Sequence, residues 1–180
     1  MKGAVLVTGG AKRIGKAVCD ALRARGWTVL VHSRDAANPL RAELSDPAAA
    51  ADLFRRAVEA APDLCAVVNN ASAFSIAPAL PPDEAARLMR VNAGAPVELA
   101  TLLARRMRAT GRRGAVVNLL DTRVLGAADA SLTPYGRSKA ALRDATLRLA
   151  RAEAPFLRVN AVAPGPVLLP ADPYCSEPGG

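Results

Sequence analysis

A tyrosine and a lysine lie four residues apart in the run Tyr135-Gly136-Arg137-Ser138-Lys139. On a helix this spacing brings both side chains to one face. A tyrosine hydroxyl, with an ordinary pKa of about 10, donates a proton at neutral pH only if its phenolate is stabilised, and a nearby ammonium does that. The pair therefore favours proton donation by Tyr135 with support from Lys139. The alternative is a chance meeting of the two side chains on a basic helix.

A glycine-rich turn near the N-terminus has the features of a phosphate cradle. An apolar run ends in Thr8-Gly9-Gly10, and a helical pattern begins around Gly15. Glycines let the backbone turn sharply beside an anion, and the N–H groups at a helix start bind it. Arg13 stands where the dinucleotide fingerprint has its middle glycine. The turn favours dinucleotide binding, and an ordinary strand-to-helix turn is the alternative.

Strand-like and helix-like segments alternate along the chain. Apolar runs predict strands over 2–8, 27–32, 40–44, 64–69, 115–120 and 156–162, and helical patterns cover 12–25, 47–60 (capped by Ser45 or Asp46), 82–108 and 134–153. Strands buried on both faces have continuous apolar runs of this kind. The pattern predicts an α/β fold with a doubly wound parallel sheet and right-handed crossovers. Ligands bind beyond the carboxyl ends of such strands, so the segments that follow the strands should form the site.

The end of the second predicted strand bears on which dinucleotide is bound. An acid there binds the ribose hydroxyls of NAD, whereas a cation accommodates the extra phosphate of NADP. Ser33 and Arg34 follow the strand and favour NADPH. Arg13 would close on the same phosphate, because a planar guanidinium suits phosphate geometry. Asp35 is the alternative, as a ribose-binding acid, and His32 is interpreted as a strand-end residue and not as a catalyst.

Composition excludes several classes of protein. Three cysteines and one histidine in 180 residues argue against a disulfide framework and a metal site, so we expect a reducing cytoplasm. No apolar run is long enough to form a transmembrane helix. The formal charge of +8 raises nucleic-acid binding, but the arginines are spread along helices among acids and lack interleaved aromatics for base stacking. We therefore expect a small-molecule substrate, with neither a nucleic-acid nor a membrane partner.

The motifs occur together in an order and at separations that resemble the short-chain dehydrogenase/reductase family. They are the glycine turn, an Asn-Asn-Ala-Ser run, an isolated asparagine, the Tyr-x-x-x-Lys pair and a Pro-Gly pair, found at 8–15, 69–72, Asn92, 135–139 and 164–165. The resemblance covers residues 1–170 as one Rossmann-type domain and leaves 171–180 as an irregular tail. It implies an NADPH-dependent oxidoreductase.

The resemblance also implies a role for each matching residue. Tyr135 would be the proton donor, Lys139 would lower its pKa and hold the nicotinamide ribose, and Asn92 would hold the helix and water relay behind Lys139. Pro164-Gly165 would lie against the nicotinamide. The full set implied in cofactor binding is Thr8, Gly9, Arg13, Ile14, Gly15, Ser33, Arg34, Asn70, Ala71, Ser72, Lys139, Pro164 and Gly165.

One position departs from the family pattern, which has a serine shortly before the tyrosine. Counted from the preceding strand, Asp121 takes that place, whereas counting back from Tyr135 gives Thr122. We prefer the strand frame, because the intervening loop absorbs an extra residue. A carboxyl beside a tyrosine suits a ring C=N substrate, since it can hold or relay the proton that must reach nitrogen after hydride reaches carbon. The alternative is that Asp121 caps a turn.

With Arg13 and the Asn-Asn-Ala-Ser-x-Phe run, this aspartate resembles the pteridine reductase branch of the family, which includes bacterial dihydromonapterin reductases. By that resemblance Arg13 would touch cofactor phosphate and pterin, Ser72 and Phe74 would hold the pterin, and Asp121 with Tyr135 would handle the proton. Phe74 would stack a flat heterocycle against the nicotinamide, or simply anchor its loop. A reductase of carbonyls such as 3-oxoacyl thioesters, a non-catalytic NADPH-binding protein and a nucleic-acid binder are the other hypotheses.

Family members continue beyond the Pro-Gly pair with a substrate-covering lid and a last strand, which the segment from 168 to 180 is too short and too proline-rich to build. The resemblance therefore implies a single domain that lacks the usual C-terminal strand and lid. We expect impaired stability or dependence on a homo-oligomer. The helices at 83–108 and 134–153 pair between subunits in the family, so they would form that interface.

Overall fold

The computed structural model describes residues 2–125 and 133–165, and every structural statement below concerns those residues. The strands are β1 (Ala4–Thr8), β2 (Thr28–Ser33), β3 (Leu40–Arg41), β4 (Leu64–Asn69), β5 (Gly114–Leu119) and β6 (Leu157–Val162). The helices are α1 (Arg13–Arg23), α2 (Ala49–Ala60), α3 (Pro82–Met89), α4 (Ala95–Thr110) and α5 (Pro134–Ala152). A π-helical turn (Arg90–Gly94) joins α3 to α4, and a 3₁₀ turn (Thr122–Val124) follows β5. The alternation confirms the predicted α/β fold.

The strands form one parallel sheet in the order β3-β2-β1-β4-β5-β6. Strand β1 pairs with β2 on one side and with β4 on the other, so the strand order reverses there. In sheets of this kind, the crevice beyond the carboxyl ends of those strands is the ligand site. Thr8, the last residue of β1, pairs with Asn69, the last residue of β4. The sheet thus brings the glycine turn beside the Asn-Asn-Ala-Ser run.

Side chains of β1 alternate between two apolar cores. Ala4 and Leu6 join the larger core, which includes side chains of α2 and α4. Val5 and Val7 pack with Cys19 of α1 on the opposite face. Burying an aliphatic side chain of this size contributes about 1.5–3 kcal/mol. Because β1 is buried on both faces, the strand that carries the glycine turn is firmly anchored.

The link between β2 and β3 consists of residues 34–39 alone and contains no helix. A parallel crossover usually needs about a dozen or more residues. The short link is possible because β3 begins level with the end of β2, where His32 pairs with Leu40 and Ser33 with Arg41. The chain therefore returns only a short distance along the sheet. As a result, the end of β2 and the residues after β3 share one surface.

The helix predicted over 82–108 contains the π-helical turn. Pro96 lies at the start of α4 and has no N–H to donate, which interrupts the regular helical hydrogen-bond ladder at this point. Asn92, at the middle of the turn, is fully buried. π-turns inside helices are often found at functional sites. The irregularity therefore aims a polar side chain inward at a position that the sequence pattern treats as ordinary helix.

The start of α2 also differs from the sequence prediction. The helix begins at Ala49, and Ala48 is its N-terminal boundary residue without a side-chain cap. Asp46 accepts the Ala48 N–H at 2.8 Å, and Ser45 donates its hydroxyl to Glu43 at 3.0 Å. Neither predicted cap residue therefore caps the helix, because each closes a tighter turn in the chain before it.

Arginines on the helices pair with acids of the same surface. Arg55 lies 2.6 Å from Asp52 and 2.7 Å from Glu59, and Arg108 lies 2.8 Å from Glu153. Such pairs are typical of solvated helix faces. None of the helices over 2–125 and 133–165 combines the length and apolar character needed to cross a membrane. The same residues contain no group of three His, Cys, Asp or Glu side chains placed to hold a metal ion.

Candidate active site

Two glycines let the turn after β1 close tightly. Gly9 has a φ of 63°, a left-handed conformation that glycine adopts without steric cost. A Cβ on Gly15 would overlap the Gly9 carbonyl oxygen, and a Cβ on Gly9 would lie 2.9 Å from the Cα of Ala71. The first turn of α1 follows directly. The result is a bare backbone surface at a helix N-terminus, which is the kind of surface that binds phosphate.

A threonine and an asparagine lock this turn to the loop after β4. Thr8 Oγ1 accepts the N–H groups of Asn70 and Ala71, both at 3.1 Å. The Asn70 side-chain amide donates to the carbonyl oxygens of Thr8 and Gly9 at 3.0 and 2.9 Å. The Asn70 side chain is thus hydrogen-bonded to the backbone of the glycine turn, and the two loops that border the crevice are held together.

Arg13, the first residue of α1, has a φ of 53° and is the one non-glycine residue with a positive φ over 2–125 and 133–165. This left-handed conformation costs a residue with a Cβ about 1–2 kcal/mol. Strain of this kind is concentrated at functional sites. The arginine side chain is exposed and Ile14 beside it is half-buried. The backbone at Arg13 therefore keeps the shape that a glycine would have, while the side chain adds a guanidinium to the turn.

Asn92 joins three elements around the site. Its Oδ1 accepts the Ala73 N–H at 2.7 Å and the Ser72 hydroxyl at 3.1 Å. Its Nδ2 donates to Ala73 O at 2.8 Å and to Ser138 Oγ at 2.9 Å. Because Ser138 precedes Lys139, the asparagine holds the turn of α5 that carries the lysine. It also fixes the loop after β4 in the same arrangement.

Tyr135 donates its hydroxyl proton to Asp121 Oδ2 at 3.1 Å. Thr122, the other candidate for this position, begins the 3₁₀ turn and donates its N–H to Pro164 O at 3.2 Å. A Cβ on Gly165 would come 4.0 Å from the Thr122 methyl group. Of the two residues, Asp121 is thus the one that contacts the tyrosine. Pro164 and Gly165 lie next to Thr122 of the 3₁₀ turn.

Lys139 lies one helical turn after Tyr135 and is 3% exposed. Its ammonium donates to Leu119 O at 2.8 Å and lies 5.9 Å from the centre of the tyrosine ring. Burial lowers the pKa of Lys139 to about 8, although the nearby Asp121 carboxylate acts in the opposite direction. The predicted spacing on one helix face is therefore realised. A buried ammonium, an acid and a phenol hydroxyl are gathered where β5 ends and α5 begins.

Phe74 packs edge-on against the tyrosine. The ring centres of Phe74 and Tyr135 are 4.9 Å apart, with an interplanar angle of 79°. Phe74 is 59% exposed, and its neighbour Ile76 is 83% exposed. A partly exposed aromatic ring beside a proton donor can pack against a flat apolar surface. The structure thus brings Phe74 to the same site as Asp121 and Tyr135.

The residues after β2 form a separate group at the sheet edge. Ser33 Oγ accepts the Asp35 N–H at 3.2 Å, and Asp35 Oδ1 accepts the Ala37 N–H at 3.0 Å. Asp35 therefore closes a turn. The Arg34 guanidinium lies 3.6 Å from Glu43 Oε2, and its side chain is 72% exposed. Arg34 is thus held loosely, at a position where an anion would compete with one surface carboxylate.

Sequence reasoning assigned no role to two side chains that support the site. His32 is 2% exposed, and its Nδ1 accepts the Gly9 N–H at 3.2 Å. Ser138, inside the Tyr-x-x-x-Lys run, donates its hydroxyl to Tyr135 O at 2.7 Å. The available signals were a polar residue at the end of an apolar strand and a serine on the buried face of a helix. Neither signal identifies a partner.

A sequence profile of the family described as "short chain dehydrogenase" matches residues 3–172, which is nearly the whole chain. The chain belongs to the short-chain dehydrogenase family. This confirms the family predicted from the motifs, and the protein is an oxidoreductase. The roles of individual site residues stay predictions.

Curated relatives of this short-chain dehydrogenase include enzymes named for pterins and for ketoacyl groups. Pteridine reductase 1 of Leishmania tarentolae is 32% identical, with 93% of this chain and 77% of the relative covered. Dihydromonapterin reductase of Citrobacter koseri is 30% identical over 91% of this chain and 74% of the relative. A putative ketoacyl reductase of the granaticin polyketide synthase of Streptomyces violaceoruber is 33% identical over 92% and 73%.

Solved structures give the same family. Alternative dihydrofolate reductase 1 (FolM) of Brucella canis, complexed with NADP, is 34% identical, with a TM-score of 0.80 over 93% of this chain and 75% of that chain. The FolM protein of Brucella suis, also in complex with NADP, is 34% identical with a TM-score of 0.81. The six-stranded parallel sheet of this short-chain dehydrogenase is thus the sheet of nicotinamide-dependent enzymes.

Proposed function

We propose that this short-chain dehydrogenase reduces a pteridine-type substrate, a dihydropterin or a dihydrofolate-like molecule, with NADPH. The observation that carries the proposal is the hydrogen bond of 3.1 Å from Tyr135 Oη to Asp121 Oδ2. A reductase of simple carbonyls uses a hydroxyl at this position to hold the carbonyl oxygen. A carboxyl instead provides a place for the proton that a ring nitrogen must receive. The similarity to enzymes named for pterins and dihydrofolate supports the same conclusion.

The residues around the glycine turn fit a dinucleotide. Side chains are sterically excluded at Gly9 and Gly15, which leaves backbone N–H groups to face a pyrophosphate. Arg13 in the turn and Arg34 after β2 supply two guanidiniums for the extra phosphate of NADPH, and planar guanidinium forks suit phosphate. That phosphate would replace Glu43 as the partner of Arg34. The NADP complexes of the two Brucella FolM proteins agree with this choice of cofactor.

When bound, NADPH supplies the hydride. The proton goes to the ring nitrogen from Tyr135, so the C=N bond becomes CH–NH and the tyrosine is left as phenolate. Lys139 stabilises that phenolate, since an ammonium close to a phenol lowers its pKa. Asp121, already bonded to the tyrosine hydroxyl, holds or relays the replacement proton. Asn92 keeps this arrangement in place through Ser138 and the loop after β4.

Phe74 would stack the flat heterocycle, because it is partly exposed and lies against the donor tyrosine. Ser72 would hold a polar edge of the pterin, since its hydroxyl lies in the same loop and is fixed by Asn92 at 3.1 Å. Arg13 would reach both the cofactor phosphate and the substrate. An aromatic surface with few convergent polar groups is typical of small-molecule sites.

Steady-state assays with dihydrobiopterin, dihydrofolate and a 3-oxoacyl thioester, each with NADPH, test the proposal. We expect turnover of a pterin by the wild-type chain and its loss in Tyr135→Phe. Asp121→Ser should reduce pterin turnover by about 10²-fold or more, the usual size of an acid–base contribution, and leave NADPH binding unchanged. Robust ketone turnover without pterin turnover would reject the pterin assignment. Tight NADPH binding, with no oxidation by any substrate and no effect of Tyr135→Phe, would indicate a non-catalytic protein.

Reduction of a carbonyl such as a 3-oxoacyl thioester is the second candidate. It is favoured by the relative named as a ketoacyl reductase, which is 33% identical. In that case Asp121 would have to be protonated to hold the carbonyl oxygen. Asp121→Ser should then increase ketone turnover, because a hydroxyl donates at any pH in the working range. The same variant thus separates the two candidates by the sign of its effect.

We also propose that the protein acts as a cytoplasmic homo-oligomer through the face that includes α5. Leu147 on α5 is 56% exposed, and an exposed leucine of this kind can seal a helix-to-helix interface. Light scattering on the 180-residue chain tests the oligomer, and Leu147→Glu should shift it to a monomer. A monomer at every concentration would reject it.

A further inference from the structure

His32 connects the glycine turn to the edge of the sheet. Its buried imidazole lies with Nδ1 3.2 Å from Gly9 N and with Nε2 3.1 Å from Ala42 O. The main chain adds a hydrogen bond of 3.0 Å from the Gly10 N–H to His32 O. Two consecutive residues of the turn are thus bonded to one strand-end residue, whose side chain also reaches the residue that follows β3.

The Gly9 N–H and the Ala42 carbonyl are compatible with only one protonation state of the His32 ring. The Gly9 N–H needs an acceptor, so Nδ1 carries no proton, and Ala42 O needs a donor, so Nε2 carries it. An imidazolium would direct a second N–H at the Gly9 N–H, and that hydrogen bond would break. Burial lowers the pKa of His32; Arg56 from α2 and Arg34 act in the same direction, whereas the Ala42 carbonyl and Glu43 oppose it.

We propose that His32 is a positioning residue for the dinucleotide. Its neutral ring links the glycine turn to the residue that follows β3 through two hydrogen bonds. Protonation of the ring breaks the bond to the glycine turn and weakens cofactor binding. The inference rests on the nicotinamide cofactor of the proposed function and is independent of the pterin substrate. Ala42 precedes Glu43, which pairs with Arg34. The two hydrogen bonds of the His32 imidazole therefore connect the glycine turn to the segment whose Glu43 pairs with Arg34, the arginine that would bind the extra phosphate.

The hydrogen bond from Gly9 to His32 also determines which backbone N–H groups can bind the cofactor pyrophosphate. Because the Gly9 N–H is bonded to His32, it is not free to meet a phosphate oxygen. The remaining donors are the N–H groups at the start of α1. If the His32 acceptor were lost, the partly buried Gly9 N–H would lose its protein partner, and the turn would reorient to satisfy it. Cofactor affinity is therefore expected to depend on the imidazole even though the ring touches no ligand atom.

The ring itself can be observed, because the chain has one histidine. Long-range ¹H–¹⁵N NMR of the full chain between about pH 5 and 8 should show a single imidazole in the Nε2–H form, titrating below the ordinary histidine range of about 6.5. The Nδ1–H form, or an ordinary midpoint, would overturn the proposal. This measurement needs no cofactor and no activity.

Two variants test the effect on binding. His32→Asn places an amide oxygen near the Nδ1 position, so it keeps an acceptor for Gly9 and does not titrate. His32→Gln extends toward Ala42 O and leaves the Gly9 N–H without its acceptor. By calorimetry with NADP⁺ near neutral pH, His32→Asn should bind within about threefold of wild type. His32→Gln should bind about fivefold or more weaker, since an unsatisfied donor in a partly buried turn has an effect of about that size. Thermal melting of both variants checks that they remain folded.

The pH dependence separates positioning from packing. Toward pH 5 the wild type should lose affinity relative to His32→Asn. The ribose phosphate of NADP⁺ itself titrates around pH 6, so the difference between the two proteins is compared, and the series is repeated with NAD⁺. Identical pH profiles for wild type and His32→Asn, or equal affinities of His32→Asn and His32→Gln, would overturn the inference alone. Failure of the wild type to bind either dinucleotide would overturn the proposed function and this inference together.

Discussion

Replacing Arg13 by glycine should stabilise the fold while it weakens cofactor binding. The φ of 53° at Arg13 costs a residue with a Cβ about 1–2 kcal/mol. Glycine removes that strain but loses about 0.5–1 kcal/mol more conformational freedom on folding. The net gain is about 0–1.5 kcal/mol, which corresponds to a rise in Tm of up to about 6 °C for a chain of this size.

The effect on binding has the opposite sign. A hydrogen bond between a guanidinium and a phosphate contributes about 1.5–3 kcal/mol. Loss of the Arg13 guanidinium should therefore weaken NADPH binding by about 10- to 150-fold. NADH lacks the extra phosphate, so its affinity should fall far less. Fluorescence titration with both cofactors measures the difference.

Arg13→Ala is the matched control. It removes the guanidinium but keeps a Cβ in the left-handed conformation, so it should lose NADPH affinity as glycine does and gain no stability. A lower Tm for Arg13→Gly than for Arg13→Ala would refute the argument from backbone strain. Equal losses of NADPH and NADH affinity in Arg13→Gly would refute the assignment of the guanidinium to the extra phosphate.

Three further changes test the supports of the site. Gly15→Ala should abolish NADPH binding and lower Tm, because its Cβ would overlap the Gly9 carbonyl. Gly94→Ala, whose Cβ would approach side-chain atoms of Arg90 and no backbone atom, should leave binding intact. Asn92→Ala leaves buried partners unsatisfied, which should lower stability by roughly 1–3 kcal/mol and reduce kcat, as chemical denaturation and turnover would show. Lys139→Met should be more stable than wild type well below pH 8, where the buried Lys139 side chain of wild type carries its charge. The pKa of Lys139 is lowered from 10.5 to about 8, so wild type gains stability as pH rises across that window, and a pH-independent difference in Tm would contradict the reasoning.

The sheet was predictable because its strands are buried on both faces and read as continuous apolar runs. The prediction for β4 has the bounds of the structure, Leu64–Asn69, and the short β3 was expected near Leu40. The π-helical turn at Arg90–Gly94 was not predicted, since helical periodicity hardly changes over a single inserted residue. The sequence feature that marks the irregular turn is Pro96, four residues after the buried Asn92.

The chemistry of the site was more visible in the sequence than its supports. Spacing on a helix predicted that Tyr135 and Lys139 would share one face, and the family resemblance implied that Asp121, after its strand, takes the place beside the tyrosine. The resemblance implied that Asn92 holds the helix of Lys139. The bonds made by His32 and Asn70 depend instead on which loops the sheet brings together and on side-chain rotamers, and local spacing in the sequence does not give either of these. Residues whose roles follow from spacing or from a family motif were thus easier to assign than residues whose partners lie on another loop.

Side chains that hold the loops of the site differ in exposure from those that would touch the substrate. Asn92, which holds the loop after β4, is fully buried and bonded to Ser138 and to that loop. Groups that would touch the substrate, such as Phe74 at 59% exposed, lie at the open side of the same loops. Substitutions at Phe74 should therefore change the substrate preference while the cofactor affinity and the fold are retained. The buried Asn92 amide would then set the positions of the reacting groups for any substrate, and the exposed Phe74 ring would select among substrates by stacking.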